Sequence, residues 1–96
     1  MGTLVILDLP VKPDAVAELS AYLKELFPDT RGFEGCEGIN AYLGEDGRTI
    51  VLVQHWDSPE SYQRYLTWRQ DTGVFAKIMT MLDGDPVMRF FNPIDA

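Results

Sequence analysis

The strongest constraint on how this chain folds is the stretch from Gly38 to Asp57, where two alternating apolar and polar runs flank Gly44-Glu45-Asp46-Gly47. An Asp-Gly pair between such runs is typical of a β-hairpin. Both a two-residue and a four-residue loop are compatible with this segment. Either loop divides the side chains between the two faces in the same way, because side chains along a strand alternate with a period of two.

The two faces of this predicted hairpin differ in polarity, which leaves open the question of which face is buried. The nearly all-apolar face holds Ile39, Ala41, Leu43, Ile50, Leu52, Gln54 and Trp56. The mixed face holds Asn40, Tyr42, Thr49, Val51, Val53 and His55.

Two strands and two helical regions complete the pattern. Residues 3–9, TLVILDL, are β-branched and apolar and predict a largely buried strand. Apolar residues at helical spacing predict a helix from Pro13 to Phe27, which Pro28 is expected to end. Residues 29–38 contain three glycines and are predicted to form a loop.

The segment after the hairpin begins a second helix at Ser58-Pro59-Glu60, because serine caps a helix and proline suits its first turn. Thr72-Gly73 interrupts the helical pattern, which then resumes from Val74 to Leu82. Asp83-Gly84-Asp85-Pro86 predicts a turn, and residues 87–91 predict a last strand.

The order of these elements, strand-helix-strand-strand-helix-strand, is typical of one α+β domain over residues 1–96. The βαββαβ order predicts a ferredoxin-like antiparallel sheet with both helices on one face. The other face is then left uncovered, and either face of the hairpin is apolar enough to require a cover. We therefore predict a homodimer in which two sheets pack together.

Charge and composition exclude several classes of function. The chain has 15 acidic and 8 basic side chains, a net charge of −7, so we expect no nucleic-acid partner and no binding to anionic lipid. No apolar run reaches the roughly 18 residues of a membrane span, and the N-terminus is typical of a strand, which predicts a cytoplasmic protein without membrane contact. One cysteine, Cys36, and one histidine, His55, allow no internal disulfide and no structural zinc site, and no metal site is predicted.

Three stretches of sequence carry a resemblance to a known family: GFEGCEGINAYLGEDGRTIVLVQHWDSPESY, YLTWRQDTG and DPVMRFFNPID. Together they resemble the antibiotic biosynthesis monooxygenase family of dimeric α+β barrel proteins, and the run Trp56-Asp57-Ser58 before a helix is the most recognisable part. The resemblance implies a ferredoxin-like monomer, a homodimer and a pocket between the sheet and the helices. Some members insert oxygen into quinol-like or polycyclic aromatic substrates without metal or flavin, and others degrade haem.

The branches of that family can be compared with this chain residue by residue. The haem-degrading branch uses an asparagine on the first strand and a Trp/His pair on the helical segment, where this chain has Ile6, Tyr65 and Met79. A branch that acts on quinols and signalling molecules commonly has a histidine early in the helix after the Trp-x-Ser run. Here that region contains Tyr62-Gln63-Arg64-Tyr65. Neither pattern is present, so haem degradation is not expected.

Four aromatic side chains within 13 residues, Trp56, Tyr62, Tyr65 and Trp68, are candidates for the walls of a pocket that holds a flat ring. Packing in an ordinary core is the alternative for Tyr62 and Tyr65, and a dimer contact is the alternative for Trp68. Arg69 shares the helix stripe of Tyr62, where it would bind an anionic substrate or pair with one of the many acids.

His55 is the only side chain with an ordinary pKa near neutrality, and it shares the mixed hairpin face with Asn40 and Tyr42. As a general base, His55 would deprotonate a phenol or enol, with Asn40 stabilising the anion. The alternatives are a solvent-exposed or hydrogen-bonded strand histidine and an asparagine that satisfies a local backbone group.

These residues lead to three hypotheses of function. The first is a cofactor-independent monooxygenase that uses molecular oxygen on a small aromatic or quinol-like compound, with His55, Asn40 and Trp68 as catalytic residues. Its predicted substrate-binding residues are Tyr42, Trp56, Tyr62, Tyr65 and Arg69. The second is a non-catalytic ligand-binding or dimerisation module of the same fold, and the third is a non-oxidative enzyme such as an isomerase on this scaffold.

Overall fold

The structure of the protein is a computed structural model that describes residues 2–96. This part of the chain contains four strands and three helices: β1 (Thr3–Pro10), α1 (Val16–Arg31), β2 (Cys36–Leu43), β3 (Thr49–Trp56), α2 (Pro59–Asp71), α3 (Val74–Met79) and β4 (Val87–Phe91). The strands form one antiparallel sheet in the order β2-β3-β1-β4. The predicted ferredoxin-like α+β fold is confirmed, with the second helical region divided into α2 and α3.

The helices cover the face of the sheet that carries Ile39, Ile50, Leu52, Gln54 and Trp56, all of which are buried. Every second residue of β1 is buried on the same face, as its strict alternation requires. Buried apolar side chains of all three helices pack against this face, among them Leu19, Leu23, Tyr62, Tyr65, Val74 and Ile78. The hydrophobic core therefore lies between the sheet and one layer of helices.

The opposite, open face of the sheet has no helix over it among residues 2–96. It is the mixed face of the hairpin, extended by the outward side chains of β1 and β4, because paired residues of neighbouring strands point to the same side. Its apolar members are Leu4, Ile6, Tyr42, Val51, Val53, Val87 and Phe91. The position of the helices therefore shows that the nearly all-apolar face of the hairpin is the buried one and that the mixed face is the open one.

Two predicted boundaries are wrong around Pro28. Helix α1 does not end there but continues to Arg31, because proline removes only its own N–H and the following turn keeps its hydrogen bonds. The Gly32 N–H still donates to the Pro28 carbonyl at 3.1 Å. The predicted loop over residues 29–38 is correspondingly shorter, since β2 begins at Cys36 and a β-bulge between Cys36 and Gly38 absorbs the irregular register.

The hairpin has the register of the two-residue loop. Leu43 pairs with Ile50, and the same register places Glu45 opposite Arg48 with Asp46 and Gly47 between them. The Asp46 side chain organises this turn. Its carboxylate accepts hydrogen bonds from the backbone N–H groups of Arg48 and Thr49, each at 2.9 Å, and from the Thr49 hydroxyl at 2.8 Å. These bonds hold the pKa of Asp46 below its ordinary value.

The last helical segment is shorter than predicted. Helix α3 ends at Met79, and Leu82 instead forms an isolated β-bridge with Val11. The last strand has the predicted bounds, Val87–Phe91. No helix within residues 2–96 is long and apolar enough to cross a membrane.

Candidate functional site

A small closed cavity lies between the sheet and the helices, with a volume of about 30 Å³. Strands β1, β2 and β3 form its floor, and all three helices contribute to its walls. Most of the lining is aliphatic or aromatic, and its residues with polar groups are Gln54, Tyr62 and Tyr65. An apolar cavity with a few converging polar groups is the usual form of a small-molecule site.

The amide of Gln54 is the polar centre of this cavity. It lies on β3 and is only 2% exposed, so it must be hydrogen-bonded for the fold to tolerate it. Its Oε1 accepts a hydrogen bond from the indole Nε1–H of Trp56 at 3.1 Å. Burial raises the pKa of the Tyr62 phenol, and a polar contact with the Gln54 side chain offsets part of that rise. Tyr62 is therefore neutral at pH 7 and stays neutral further into the alkaline range than an exposed tyrosine, so its hydroxyl can donate a hydrogen bond.

The four aromatic residues predicted as pocket walls do come together. The ring of Trp56 lies 5.4 Å from that of Tyr62 and 5.0 Å from that of Tyr65, and Tyr65 lies 6.0 Å from Trp68. Phe33, from the loop before β2, stacks on Trp68 at 5.3 Å and completes the cluster. Only Tyr62 and Tyr65 of these five line the cavity directly, while Trp56 supports it from the side.

Arg69 is 3% exposed and forms no ion pair with any acid among residues 2–96, so the predicted salt bridge is wrong. Its Nε donates to the Tyr65 hydroxyl at 3.0 Å, and its Nη2 donates to the Thr30 hydroxyl and the Leu26 carbonyl, each at 2.9 Å. Its guanidinium also lies 4.3 Å from the ring centre of Trp68. None of the acidic side chains of residues 2–96 is buried, whereas Arg69 is directed inward towards the last turns of α1, the end of a helix whose dipole favours a cation.

His55, Asn40 and Tyr42 lie on the open face and are exposed, so the sheet separates them from the cavity. His55 precedes Trp56 in β3, and successive residues of a strand point to opposite faces. Beside His55 is a surface depression of about 310 Å³ that Leu4, Glu37 and Phe91 also line. The eight predicted site residues thus form two groups on opposite faces of the sheet, and the structure does not bring His55 near the aromatic cluster.

Sequence reasoning did not select Gln54, Phe33 or Thr30, although each contacts the predicted aromatic group. A signal for Gln54 was present, because it is the one polar residue on the otherwise apolar hairpin face. Phe33 and Thr30 fall in the segment predicted as a loop, where no periodic pattern could orient them.

Neither the thiol of Cys36 nor any group of metal-ligating side chains forms a further site within residues 2–96. The half-buried thiol of Cys36 packs beside the aromatic cluster, and burial raises its pKa, which keeps it protonated near neutral pH. Within residues 2–96 no three His, Cys, Asp or Glu side chains are grouped closely enough to hold a metal ion.

Several solved structures have the same fold. One is a conserved protein from Methanosarcina mazei Go1, with a TM-score of 0.87, 20% identity and coverage of 95% of this chain and 91% of that chain. Another is Rv0793 from Mycobacterium tuberculosis, with a TM-score of 0.80, 24% identity and coverage of 100% and 98%. A third is a monooxygenase from the gene ActVA-Orf6 of Streptomyces coelicolor in complex with the ligand Nanaomycin D, with a TM-score of 0.84, 19% identity and coverage of 99% and 89%.

No curated protein matches the chain. The family model described as Antibiotic biosynthesis monooxygenase, however, matches residues 3–70 of the 96, which is most of the domain and includes every element from β1 to nearly the end of α2. The chain therefore belongs to the antibiotic biosynthesis monooxygenase family.

Proposed function

We propose that this chain binds a small aromatic or quinol-like compound in the cavity between sheet and helices and oxidises it with molecular oxygen, without metal or flavin. The observation that carries the proposal is that Gln54 and Tyr62, whose phenol is neutral, line an otherwise apolar cavity between the sheet and the helices. Membership of the family supports the reaction type. Nanaomycin D bound to one structural neighbour supports the aromatic class of ligand.

The chemistry requires a substrate that becomes electron-rich enough, as a phenolate or enolate, to pass an electron to oxygen. An anthrone-like compound is a suitable example, since its CH₂ group and O₂ give a C=O group and one water. Hydrogen bonds from Gln54 and Tyr62 would stabilise the substrate oxyanion in a dry site, where such bonds are strong. No carboxylate or imidazole of residues 2–96 lines the cavity, so the substrate must ionise through its own acidity, assisted by these donors.

Binding of a ring requires the cavity to open, because a volume of about 30 Å³ holds only about one water molecule. The half-buried side chains Leu26, Leu66 and Phe75 line the cavity and pack against the buried residues of the hydrophobic core. They are the side chains that we expect to move when a ligand enters, since partly exposed side chains change rotamer at lower cost than buried ones.

Oxygen uptake tests the catalytic proposal. A panel of hydroquinones and anthrone-like compounds is incubated aerobically with the protein, and consumption of O₂ is measured. We expect uptake with at least one of them, and Gln54→Leu should lower kcat/KM at least about tenfold, because an oxyanion donor is lost. Gln63→Leu is the matched control on the exposed surface of α2. Uptake that is unchanged in Gln54→Leu would contradict the assigned role of this cavity.

The second candidate, a non-catalytic ligand-binding module, is favoured by one specific observation: the lining of the cavity has no ionisable base among the described residues. Thermal unfolding in the presence of the same compounds separates the two functions. A compound that raises Tm and causes no oxygen uptake supports binding alone, and uptake supports catalysis.

We also propose that the protein is a homodimer joined through the open face. Apolar side chains such as Ile6, Val51 and Val53 cover the centre of that face, and Phe91 is 42% exposed at its edge. A contiguous apolar surface of this kind is usually an interface. Light scattering should give the mass of two chains, and Val53→Asp should give the mass of one, while Thr67→Asp on α2 should have no effect. A monomeric mass for the unchanged protein at micromolar concentration would contradict the dimer.

A further inference from the structure

A second and larger concavity lies between α1 and the outer edge of β2, with a volume of about 460 Å³. It is an open groove, and this volume lies within the range of known small-molecule sites, unlike that of the closed cavity. Leu23 and Phe27 line both spaces, so these two side chains form the wall between them. The groove is therefore adjacent to the proposed oxidation site but separate from it.

The floor of the groove is apolar. Ala41 and Leu43 of β2 and Ile50 of β3 form it, on the face of the sheet that the helices cover elsewhere. Leu43 is nevertheless 56% exposed, because α1 packs over the middle of the sheet and leaves the end of the hairpin uncovered. An apolar side chain so exposed within a concave surface provides a contact for an apolar ligand.

The charge of the groove is opposite to that of the protein. Lys24 and Arg31 line it, seven residues apart on α1 and therefore on one side of the helix. Among the residues that the structure describes, no carboxylate lines the groove, although the chain has 15 acidic side chains and a net charge of −7. Neither cation belongs to the ion pairs found within residues 2–96.

Arg31 is held in place at one end of the groove. Its Nη2 donates to the backbone carbonyl of Ile39 at 3.0 Å, and its guanidinium lies 5.3 Å from the ring centre of Phe27. A guanidinium that is fixed by one donor still has other N–H groups free to bind a carboxylate.

The edge of β2 adds hydrogen-bond donors to the groove. The Gly44 N–H donates to the Thr49 carbonyl at 2.8 Å, which identifies this as a hydrogen-bonded pair of the hairpin ladder. Such pairs alternate with pairs that exchange no bonds, so the backbone N–H groups of Ala41 and Leu43 point to the outer edge. No strand within residues 2–96 pairs with that edge, since β2 is the first strand in the sheet order.

We propose that this groove binds a small amphipathic carboxylate, with an apolar body of one or two rings on Ile50 and Leu43 and its carboxylate between Lys24 and Arg31. The apolar floor, the two cations that form no ion pair within residues 2–96 and the unpaired strand edge each favour such a ligand. The site does not depend on the proposed oxidation in the closed cavity. Its floor lies on the helix side of the sheet, although Asn40 and Tyr42 of the open face also line the groove at the edge of β2.

A matched pair of probes tests the charge of the ligand. 2-Naphthoate is titrated into ¹⁵N-labelled protein, with the neutral 2-naphthamide as the control of equal shape, and amide resonances are followed by NMR. We expect 2-naphthoate to shift the amides of Ala41, Leu43 and Lys24 and to bind about tenfold more tightly than 2-naphthamide, because two ion pairs are lost with the charge. Added salt should lower the affinity for 2-naphthoate and leave the affinity for 2-naphthamide unchanged.

A charge-removing variant tests the position of the site. Lys24→Met should lower the affinity for 2-naphthoate about five-fold, which is the loss expected for one exposed ion pair. Arg64→Met removes the same charge from the exposed surface of α2 and should leave the affinity unchanged. The proposal is overturned if the two probes bind equally well, or if Lys24→Met has no effect on the affinity. It is also overturned if the resonance shifts are confined to Gln54, Tyr62 and Leu66. The last result would instead place the ligand in the closed cavity.

Discussion

Replacement of Arg69 by methionine is the sharpest test of how α2 is held against α1. Arg69 is 3% exposed, and its guanidinium connects the Tyr65 hydroxyl on its own helix to the Thr30 hydroxyl and the Leu26 carbonyl on α1. Methionine keeps the length and the apolar stem of the side chain. The substitution therefore removes the charge and three hydrogen bonds and leaves no large cavity.

The expected loss follows from these contacts. Each of the three hydrogen bonds contributes roughly 1 kcal/mol net, and more than that when the donor is charged. The contact with the ring of Trp68 adds about 0.5–1 kcal/mol. Part of the total loss is offset because methionine is neutral and avoids the free-energy cost of burying a charge. We expect Arg69→Met to lower the free energy of unfolding by about 3 kcal/mol, which for a domain of this size lowers Tm by on the order of 15 °C.

Urea denaturation followed by far-UV circular dichroism measures this loss, at one fixed chain concentration because a dimer would make stability depend on concentration. Arg69→Lys should give an intermediate loss, since lysine keeps the charge but not the planar fork. Arg64→Met is the control, because Arg64 is exposed and donates one side-chain bond, to Ser61. A loss below about 1 kcal/mol for Arg69→Met would refute the reasoning, since the network would then contribute no more than an exposed side chain.

Two further predictions concern a glycine and a tyrosine. Gly35 has a φ of +96°, and a side chain there would collide with the Cβ and the hydroxyl of Ser61. Gly47 has a similar φ of +72°, but nothing lies within 4 Å of the place that its Cβ would take. Gly35→Ala should therefore lower Tm by more than Gly47→Ala does, and equal losses would contradict this. Because burial raises the pKa of Tyr62, the folded state keeps the phenol neutral, so its stabilising contribution is complete below its ordinary pKa of 10.0 and decreases as pH rises above that value. Tyr62→Phe should therefore show a smaller alkaline loss of stability in urea titrations at pH 9 and 11 than the unchanged protein does, and parallel losses would count against a buried phenol.

The order of elements could be read from the sequence because it depends on local periodicity. The alternation around Asp46-Gly47 and the capping pattern at Ser58-Pro59 act over a few residues, and both are found where they were predicted. Ser58 accepts a hydrogen bond from the Ser61 N–H, as a helix cap should. The errors near Pro28 arose where a single residue type was taken to end a helix whose remaining hydrogen bonds were intact.

The candidate site was only partly predictable. The aromatic residues from Trp56 to Trp68 come together because they lie on one strand end and on one stripe of the following helix, a local arrangement. His55 was grouped with them because of its chemistry, yet the pleat of β3 directs it to the open face. The positions of Gln54 and of the hydrogen bonds of Arg69 depend on contacts between segments far apart in the chain, such as Thr30 and Arg69, which are separated by 39 positions.

By itself the sequence determined the class of fold, the division of each strand into two faces, the family and the excess of acidic charge. It could not determine which face of the hairpin the helices cover, because alternation divides side chains without saying where a distant helix packs. The tertiary structure decided that by the connection from β1 through α1 to β2, which places the helices over Gln54 and Trp56 and leaves His55 on the open face. The same packing leaves the end of β2 uncovered and brings Lys24 and Arg31 beside it, because the position of one helix over a sheet is a property of the whole chain.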